Sequence, residues 1–248
     1  MRLQGKIALV TGAASGFGEG IARRFAAEGA RVVIADLDRA AAERVAAETG
    51  MIATGGDVSR GDDVRAMVQA AVDRFGGLDI VVNNAGTTHR NRPMLEVDEA
   101  SFDRIYAVNV KSLYWMAQAA IPVLRGQGRG GSIINIGSTA GIRPRPGLVW
   151  YNGTKGAVNV ITQCMATELA ADNIRVNSVC PVMGATGLLS EFMGVPDTPE
   201  ARARFLASIP LGRMSTPADI ANACVFLAED SSSFLTGVLL PVDGGRCA

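Results

Sequence analysis

The apolar run Ile7-Ala8-Leu9-Val10 leads straight into Thr11-Gly12-Ala13-Ala14-Ser15-Gly16-Phe17-Gly18, and this junction constrains the fold more than any other stretch of the chain. A short apolar run ended by a glycine-rich turn reads as a buried parallel strand, here residues 6–10. From 17 to 28 the spacing becomes helical, with Ile21, Ala22 and Phe25 on one face and Gly29 as the stop. A second apolar run, 31–35, closes on Asp36. Strand, helix and strand in succession make a βαβ unit, whose crossover is right-handed.

The alternation continues. Strands are predicted at 51–55, 78–82, 132–136, 174–179 and 238–242, and helices at 39–48, 62–75, 98–124 and 150–171. The 98–124 stretch has two candidate interruptions, at Asn109 and at Pro122. Strands separated by helices imply an α/β fold, a doubly wound parallel sheet with helices on both faces. With no linker and no internal repeat, residues 1–248 are expected to form one domain. The irregular stretch 182–210 follows a strand's carboxyl end, where long loops serve as lids over a ligand.

Lys and Arg together number 24, as do Asp and Glu, so no basic footprint for nucleic acid or an anionic membrane is expected. No apolar run reaches the ~18 residues of a membrane span, and Met1–Lys6 carry no apolar signal core, so a cytoplasmic protein is expected. Cys164, Cys180, Cys224 and Cys247 are too scattered for a zinc site or disulfide framework. His89 is the single histidine, which excludes a histidine-based metal site, and no G-x-S-x-G elbow exists to partner it in a hydrolytic triad.

Glycines at 12, 16 and 18 let backbone approach a pyrophosphate at a helix N-terminus, with Ser15 and Phe17 alongside. Asp36 is placed to accept hydrogen bonds from the adenine-ribose hydroxyls; the alternative is a helix cap or a solvated carboxylate. Asp57 and Val58 follow the third strand and suit either an adenine edge or a plain turn leading into a helix. Asn83-Asn84-Ala85-Gly86 ends the fourth strand and suits either a ribose or an ordinary turn.

Tyr151 and Lys155 stand i, i+4 on one helix face. A free phenol titrates near ~10, and an adjacent ammonium favours the phenolate. Ser138, after the fifth strand, offers a hydroxyl for a substrate oxygen, and Asn109 an amide for a water near Lys155. Each has an ordinary alternative as core, surface or turn residue. Thr139, Ala140, Arg145, Trp150, Val182 and Met183 flank this set, and Leu188, Leu189, Phe192 and Met193 lie in the lid stretch. Most are apolar, which favours an uncharged or aromatic ketone over a sugar phosphate; alternatively the lid residues simply pack on the core.

In order and spacing, Thr11–Gly18, Asn83–Gly86, Asn109, Ser138, Tyr151 and Lys155 resemble the classical short-chain dehydrogenase/reductases, through to the ending Asp243-Gly244-Gly245. The resemblance implies a seven-stranded Rossmann sheet of order 3-2-1-4-5-6-7. It implies interconversion of a secondary alcohol and a ketone or other carbonyl compound by hydride transfer from C4 of a nicotinamide. Tyr151 is then the acid/base, Ser138 binds the carbonyl, Lys155 also holds the nicotinamide ribose, and Asn109 supports a water relay. The same resemblance adds Leu37, Ala85, Pro181, Val182, Gly184 and Thr186 to the cofactor contacts. It puts Ala140, Trp150 and Met183 against the substrate with Ser138 and Tyr151, and implies a homotetramer paired partly through the helix over 157–171. Asp36 resembles the family's NAD-selecting acid, so NAD is expected ahead of NADP.

Two departures stand out. Val182 follows Pro181 where the family has glycine, and is expected to narrow the pocket or shift the loop. Gly153 and Thr154 replace the commoner small residue and serine between Tyr151 and Lys155. A rival reading within the family is a 3-oxoacyl-carrier-protein reductase, which calls for NADPH and a basic docking patch. Asp36 opposes the first, and Arg125 with Arg129 hints at the second. A non-catalytic dinucleotide-binding protein is a third reading, which the intact Ser138–Tyr151–Lys155 set disfavours.

Overall fold

The computed structural model describes residues 1–184, 187, 189–196 and 198–248. Seven parallel strands form one sheet: β1 (Ile7–Thr11), β2 (Arg31–Asp36), β3 (Ile52–Gly55), β4 (Ile80–Asn83), β5 (Gly131–Ile136), β6 (Ile174–Pro181) and β7 (Leu239–Val242). Their order is β3-β2-β1-β4-β5-β6-β7, as the family resemblance implies. The helices are α1 (Gly16–Ala27), α2 (Arg39–Thr49), α3 (Gly61–Phe75), α4 (Glu99–Tyr106), α5 (Ser112–Gln127), α6 (Val149–Leu169), α7 (Leu189–Met193), α8 (Pro199–Leu206) and α9 (Pro217–Ala228).

The period-two alternation of the strands divides their apolar side chains between two cores. Ala8, Val10, Ile34 and Val82 point to one face, under Ile21 and Phe25 of α1 and Ile220 of α9. Leu9, Val33, Val81 and Ile133 point to the other, against Met67 of α3, Leu124 of α5 and Leu169 of α6. Both faces are covered, which is why these strands read as continuous apolar runs. Each large aliphatic side chain fully buried here contributes about 1.5–3 kcal/mol.

Three expectations need correction. The helical stretch 98–124 is interrupted at neither candidate position: at Asn109 it passes through a π-helical turn over Ala107–Lys111, and Pro122 lies inside α5 without ending it. The stretch 182–210 is not wholly irregular, since it holds α7 and α8, the latter capped by Thr198 with Pro199 opening the helix. Helix α9 had no counterpart in the pattern reading. Thr216 and Asp219 form a reciprocal capping box at its start, with Pro217 as its first residue.

Strand β1 lies between β2 and β4, so the crossovers leaving it diverge to opposite faces and open a crevice at the strands' carboxyl ends.

Candidate active site

A cavity of about 880 Å³ fills that crevice. Its floor is the turn after β1. Gly12 has φ +61°, and a Cβ there would stand 2.8 Å from Ala85 Cα; a Cβ at Gly18 would stand 2.1 Å from the Gly12 carbonyl oxygen. Gly12 lines the cavity, while Gly18 packs behind it. Asn84 ties the turn down, its Nδ2 donating to the Thr11 and Gly12 carbonyls, each at 2.9 Å. Where α1 begins, Ser15, Gly16 and Phe17 line the cavity, and the Ser15 hydroxyl makes no capping bond. The first-turn N–H groups are thereby left for an anionic ligand.

Asp36 lines the cavity beyond β2. Its Oδ2 accepts from the Ala14 N–H at 2.9 Å and its Oδ1 from the Asp38 N–H at 3.0 Å. Each oxygen keeps a lone pair for a further donor. Leu37 stands exposed at the rim, and Asp57, Val58, Ala85 and Gly86 continue the wall. The Asp57 Oδ1 accepts from the Ser59 N–H at 2.8 Å, so this carboxylate also forms the turn leading into α3. The cradle fits an extended dinucleotide: a tight turn that only glycines at 12 and 18 allow, N–H groups of the first turn of α1 at its centre, and a fixed carboxylate at one end.

Tyr151 and Lys155 project from the first turns of α6, are 7% and 6% exposed, and line the cavity with Ser138. Ser138 opens the short turn after β5, where its Oγ accepts from the Ala140 N–H at 3.0 Å. Burial pushes the Tyr151 phenol up to about 12, against the opposing pull of the Ser138 hydroxyl and Arg145. Burial also brings the Lys155 ammonium down to about 8. Lys155 Nζ donates to the Ile136 carbonyl at 2.8 Å and lies 5.9 Å from the Tyr151 ring centre, so the two share one helix face.

Asn109 is buried and braces the π-turn: its Nδ2 donates to the Thr87 carbonyl at 2.9 Å and to Thr154 Oγ1 at 3.0 Å, and its Oδ1 accepts from the Thr87 N–H at 2.9 Å. Both donors are thereby engaged within the protein, while Oδ1, with one contact, keeps a lone pair for a further donor. Thr154 completes the link by donating to the Tyr151 carbonyl at 2.7 Å. At Gly153 a Cβ would stand 3.1 Å from Tyr106 Oη, which accounts for the small residue there.

Ala140, Pro181, Val182, Met183 and Gly184 all reach the cavity wall. Val182 is buried, and among the described residues only Asn173, apart from glycines, has positive φ, so valine fits without backbone strain. The close approach falls instead at Gly184, where a Cβ would stand 2.4 Å from the Phe17 ring. Trp150 is not on the cavity. One residue is about 100° of helix, which turns Trp150 from the Tyr151 face toward Phe102 and the Met94 carbonyl, to which its Nε1 donates at 3.2 Å. In the lid stretch Phe192 reaches the cavity, whereas Leu189 and Met193 are buried away from it. Thr186 and Leu188 lie outside the described residues. Pattern reading missed Arg143, Arg204, Phe205 and Arg246, all on the wall. The only local signals were the R-x-R spacing before Tyr151 and the arginine after the final glycine pair.

A dinucleotide cradle at the switch point of a parallel sheet, beside a serine, a tyrosine and a lysine, defines the class: a Rossmann-type nicotinamide-dependent oxidoreductase. Residues 12–246 match the family model described as enoyl-(acyl carrier protein) reductase. The chain is 52% identical to 4-formylbenzenesulfonate dehydrogenase TsaC1/TsaC2 of Comamonas testosteroni, over 99% of each chain. It is 38% identical to 2-(S)-hydroxypropyl-CoM dehydrogenase 3 of Xanthobacter autotrophicus, over 100% of this chain and 98% of the other. A crystal structure of 3-ketoacyl-(acyl-carrier-protein) reductase from Brucella melitensis complexed with NADH superposes with a TM-score of 0.94 at 47% identity, covering 99% of this chain and 100% of that one. The chain belongs to the short-chain dehydrogenase/reductase family. It is an oxidoreductase that interconverts alcohols and carbonyl compounds with a nicotinamide cofactor. Among the described residues, no helix is long and apolar enough to cross a membrane.

Proposed function

We propose that this chain is an NAD(H)-dependent alcohol dehydrogenase/carbonyl reductase for a small-molecule substrate, with Ser138, Tyr151 and Lys155 doing its proton chemistry. The observation that carries this reading is the buried Tyr151 side chain, which shares the cavity wall with Ser138 and Lys155 beside the dinucleotide cradle. The bound nicotinamide supplies or accepts the hydride. In reduction, Ser138 donates to the carbonyl oxygen and Tyr151 delivers the proton; in oxidation, Tyr151 takes it back. Lys155 holds the ribose of the nicotinamide half, and Asn109 positions α6 through Thr154.

NAD(H) is favoured over NADP(H) because Asp36 is fixed by two backbone donors. Arg39, which lies close enough in sequence to serve a 2′-phosphate, is paired with Glu43 at 2.8 Å. For the carrier-protein reading, Arg125 pairs with Asp172 at 2.7 Å and Arg129 with Asp79 at 2.8 Å, and both side chains stay half exposed, so that reading stands as the alternative. The relatives' names include dehydrogenases and reductases and differ in substrate, from an aryl aldehyde to galactitol to a 3-oxoacyl carrier protein. The test is cofactor turnover with paired alcohols and carbonyls, NADH forming with the alcohol and being consumed with the carbonyl. Consumption by no member of a broad panel contradicts the reading.

Residues 1–248 are read as one domain with a lid at about 182–210, in a cytoplasmic homotetramer. Val160 on α6 and Tyr114 on α5 are more than half exposed, and Phe234 is 99% exposed, leaving apolar surface for closed two-fold contacts. Light scattering at micromolar concentration is expected to give four times the 25.8 kDa chain mass, and a monomer mass refutes the assembly.

A further inference from the structure

The two ends of the cavity differ in charge. Its carboxylates, Asp36 and Asp57, stand beyond β2 and β3, at the adenine end of the cradle. The wall also carries Arg143, Arg145, Arg204 and Arg246, and among the described residues none of these four is in an ion pair.

Arg145 ties this group to the reacting end. Its Nη2 donates to the Phe192 carbonyl at 2.9 Å, and its guanidinium carbon lies 5.0 Å from the centre of the Phe205 ring. The Phe192 ring is itself 5.1 Å from the Tyr151 ring. Arg204 precedes Phe205 on α8, and Arg143 donates to the Arg246 carbonyl at 2.6 Å. Burial lowers the Arg145 pKa, Tyr151 opposes the shift and Arg246 adds to it, yet a guanidinium does not give up its proton in a protein. A partly buried cation beside further cations, with a backbone carbonyl and an aromatic ring for partners and no carboxylate, is unfavourable in the free protein. A ligand that brings the counter-charge removes that penalty.

The coenzyme does not supply it here, because its pyrophosphate belongs at the N-terminus of α1 and its adenine ribose at Asp36. The Phe192 ring, against Tyr151, and the Phe205 ring, against Arg145, add flat apolar surface to the wall. We propose that the substrate is an aldehyde or ketone, with its alcohol, whose apolar body carries a carboxylate-type anion, and that Arg145 clasps this anion with Arg246 and Arg204 reinforcing it. A planar guanidinium fork matches such an oxyanion in bidentate geometry. The inference rests on the alcohol–carbonyl reading of the same site and replaces the apolar, uncharged ketone that pattern reading favoured.

The test uses 4-formylbenzoate and its methyl ester, which share ring and aldehyde and differ in charge, with NADH as coenzyme. In the wild-type enzyme kcat/KM is expected to favour the anion by about ten- to a hundredfold, the range for hydrogen bonds to a charged group. In Arg145→Met that ratio collapses toward one. Arg246→Met, whose side chain makes no hydrogen bond within the described residues, gives a smaller change in the same direction if Arg145→Met fails to fold. A role confined to tuning Tyr151 lowers both substrates equally in Arg145→Met and leaves the ratio intact, which overturns the anion site. Equal use of the two aldehydes by the wild type also overturns it, while leaving the reductase reading standing. If neither aldehyde is reduced, calorimetric titration of the enzyme–NADH complex with 4-formylbenzoate decides. Binding that is lost in Arg145→Met supports the anion site, and absence of binding overturns it.

Discussion

Tyr151→Phe is expected to lower kcat by about 10²–10⁴-fold in both directions, the range for lost general acid/base catalysis, while dinucleotide binding persists. The phenol is the group on the cavity wall positioned to exchange a proton with a substrate oxygen at Ser138, and phenylalanine fills the same volume without it. The pH dependence follows from the direction of its shift. Burial raises the phenol, so the protonated acid prevails through neutral pH and carbonyl reduction should be flat there. Alcohol oxidation needs the phenolate, so its kcat/KM should climb with pH, about tenfold per unit below the phenol's pKa in the complex, and Tyr151→Phe should abolish the climb. Near-wild-type turnover in that variant removes Tyr151 from the chemistry.

Asp36→Ala should erode a preference for NAD(H) over NADP(H) that lies between tenfold and several thousandfold in kcat/KM. A 2′-phosphate at ~4 Å from the carboxylate costs about 1 kcal/mol at the dielectric of water and about 4 at an effective dielectric of 20. The lost hydroxyl contacts add about 1.5–3 kcal/mol. Fixed by Ala14 and Asp38, the carboxylate does not swing away from the phosphate, and Arg39 is occupied by Glu43. The variant also frees the Ala14 N–H, so NAD(H) use should fall somewhat while NADP(H) use improves. Paired saturation curves measure this, and equal wild-type activity with NADPH shows that Asp36 does not select the coenzyme.

The sheet was legible because each strand is apolar on both faces and each crossover helix keeps its own period, so local pattern and global fold agree. The cradle was legible for a related reason: Gly12, Gly18 and Asp36 are close in sequence, and sterics dictate the glycines. Helix α9 was missed because its exposed stripe, Ala218, Asn222 and Phe226, is scarcely polar, which blunts the contrast that marks a surface helix. Its signal was the Thr216–Asp219 capping box. The weight of burial on Tyr151 and Lys155 was not legible, since i, i+4 spacing gives proximity and says nothing of solvent. The arginine cluster was the least legible feature. Arg143 and Arg145, Arg204, and Arg246 come from three separate segments, and only the fold brings them to one wall.

The measurement that bears most directly on the proposed chemistry is hydride tracing. NADH carrying two deuteriums at C4 of its nicotinamide is incubated with the enzyme and a carbonyl substrate that it turns over, and the alcohol is analysed by mass spectrometry and NMR. One deuterium on the carbinol carbon, delivered by wild type and at a rate reduced about 10²–10⁴-fold by Tyr151→Phe, is the expected result. An alcohol that carries no deuterium at that carbon, or equal rates from the two proteins, contradicts the assignment of hydride transfer with Tyr151 as the acid.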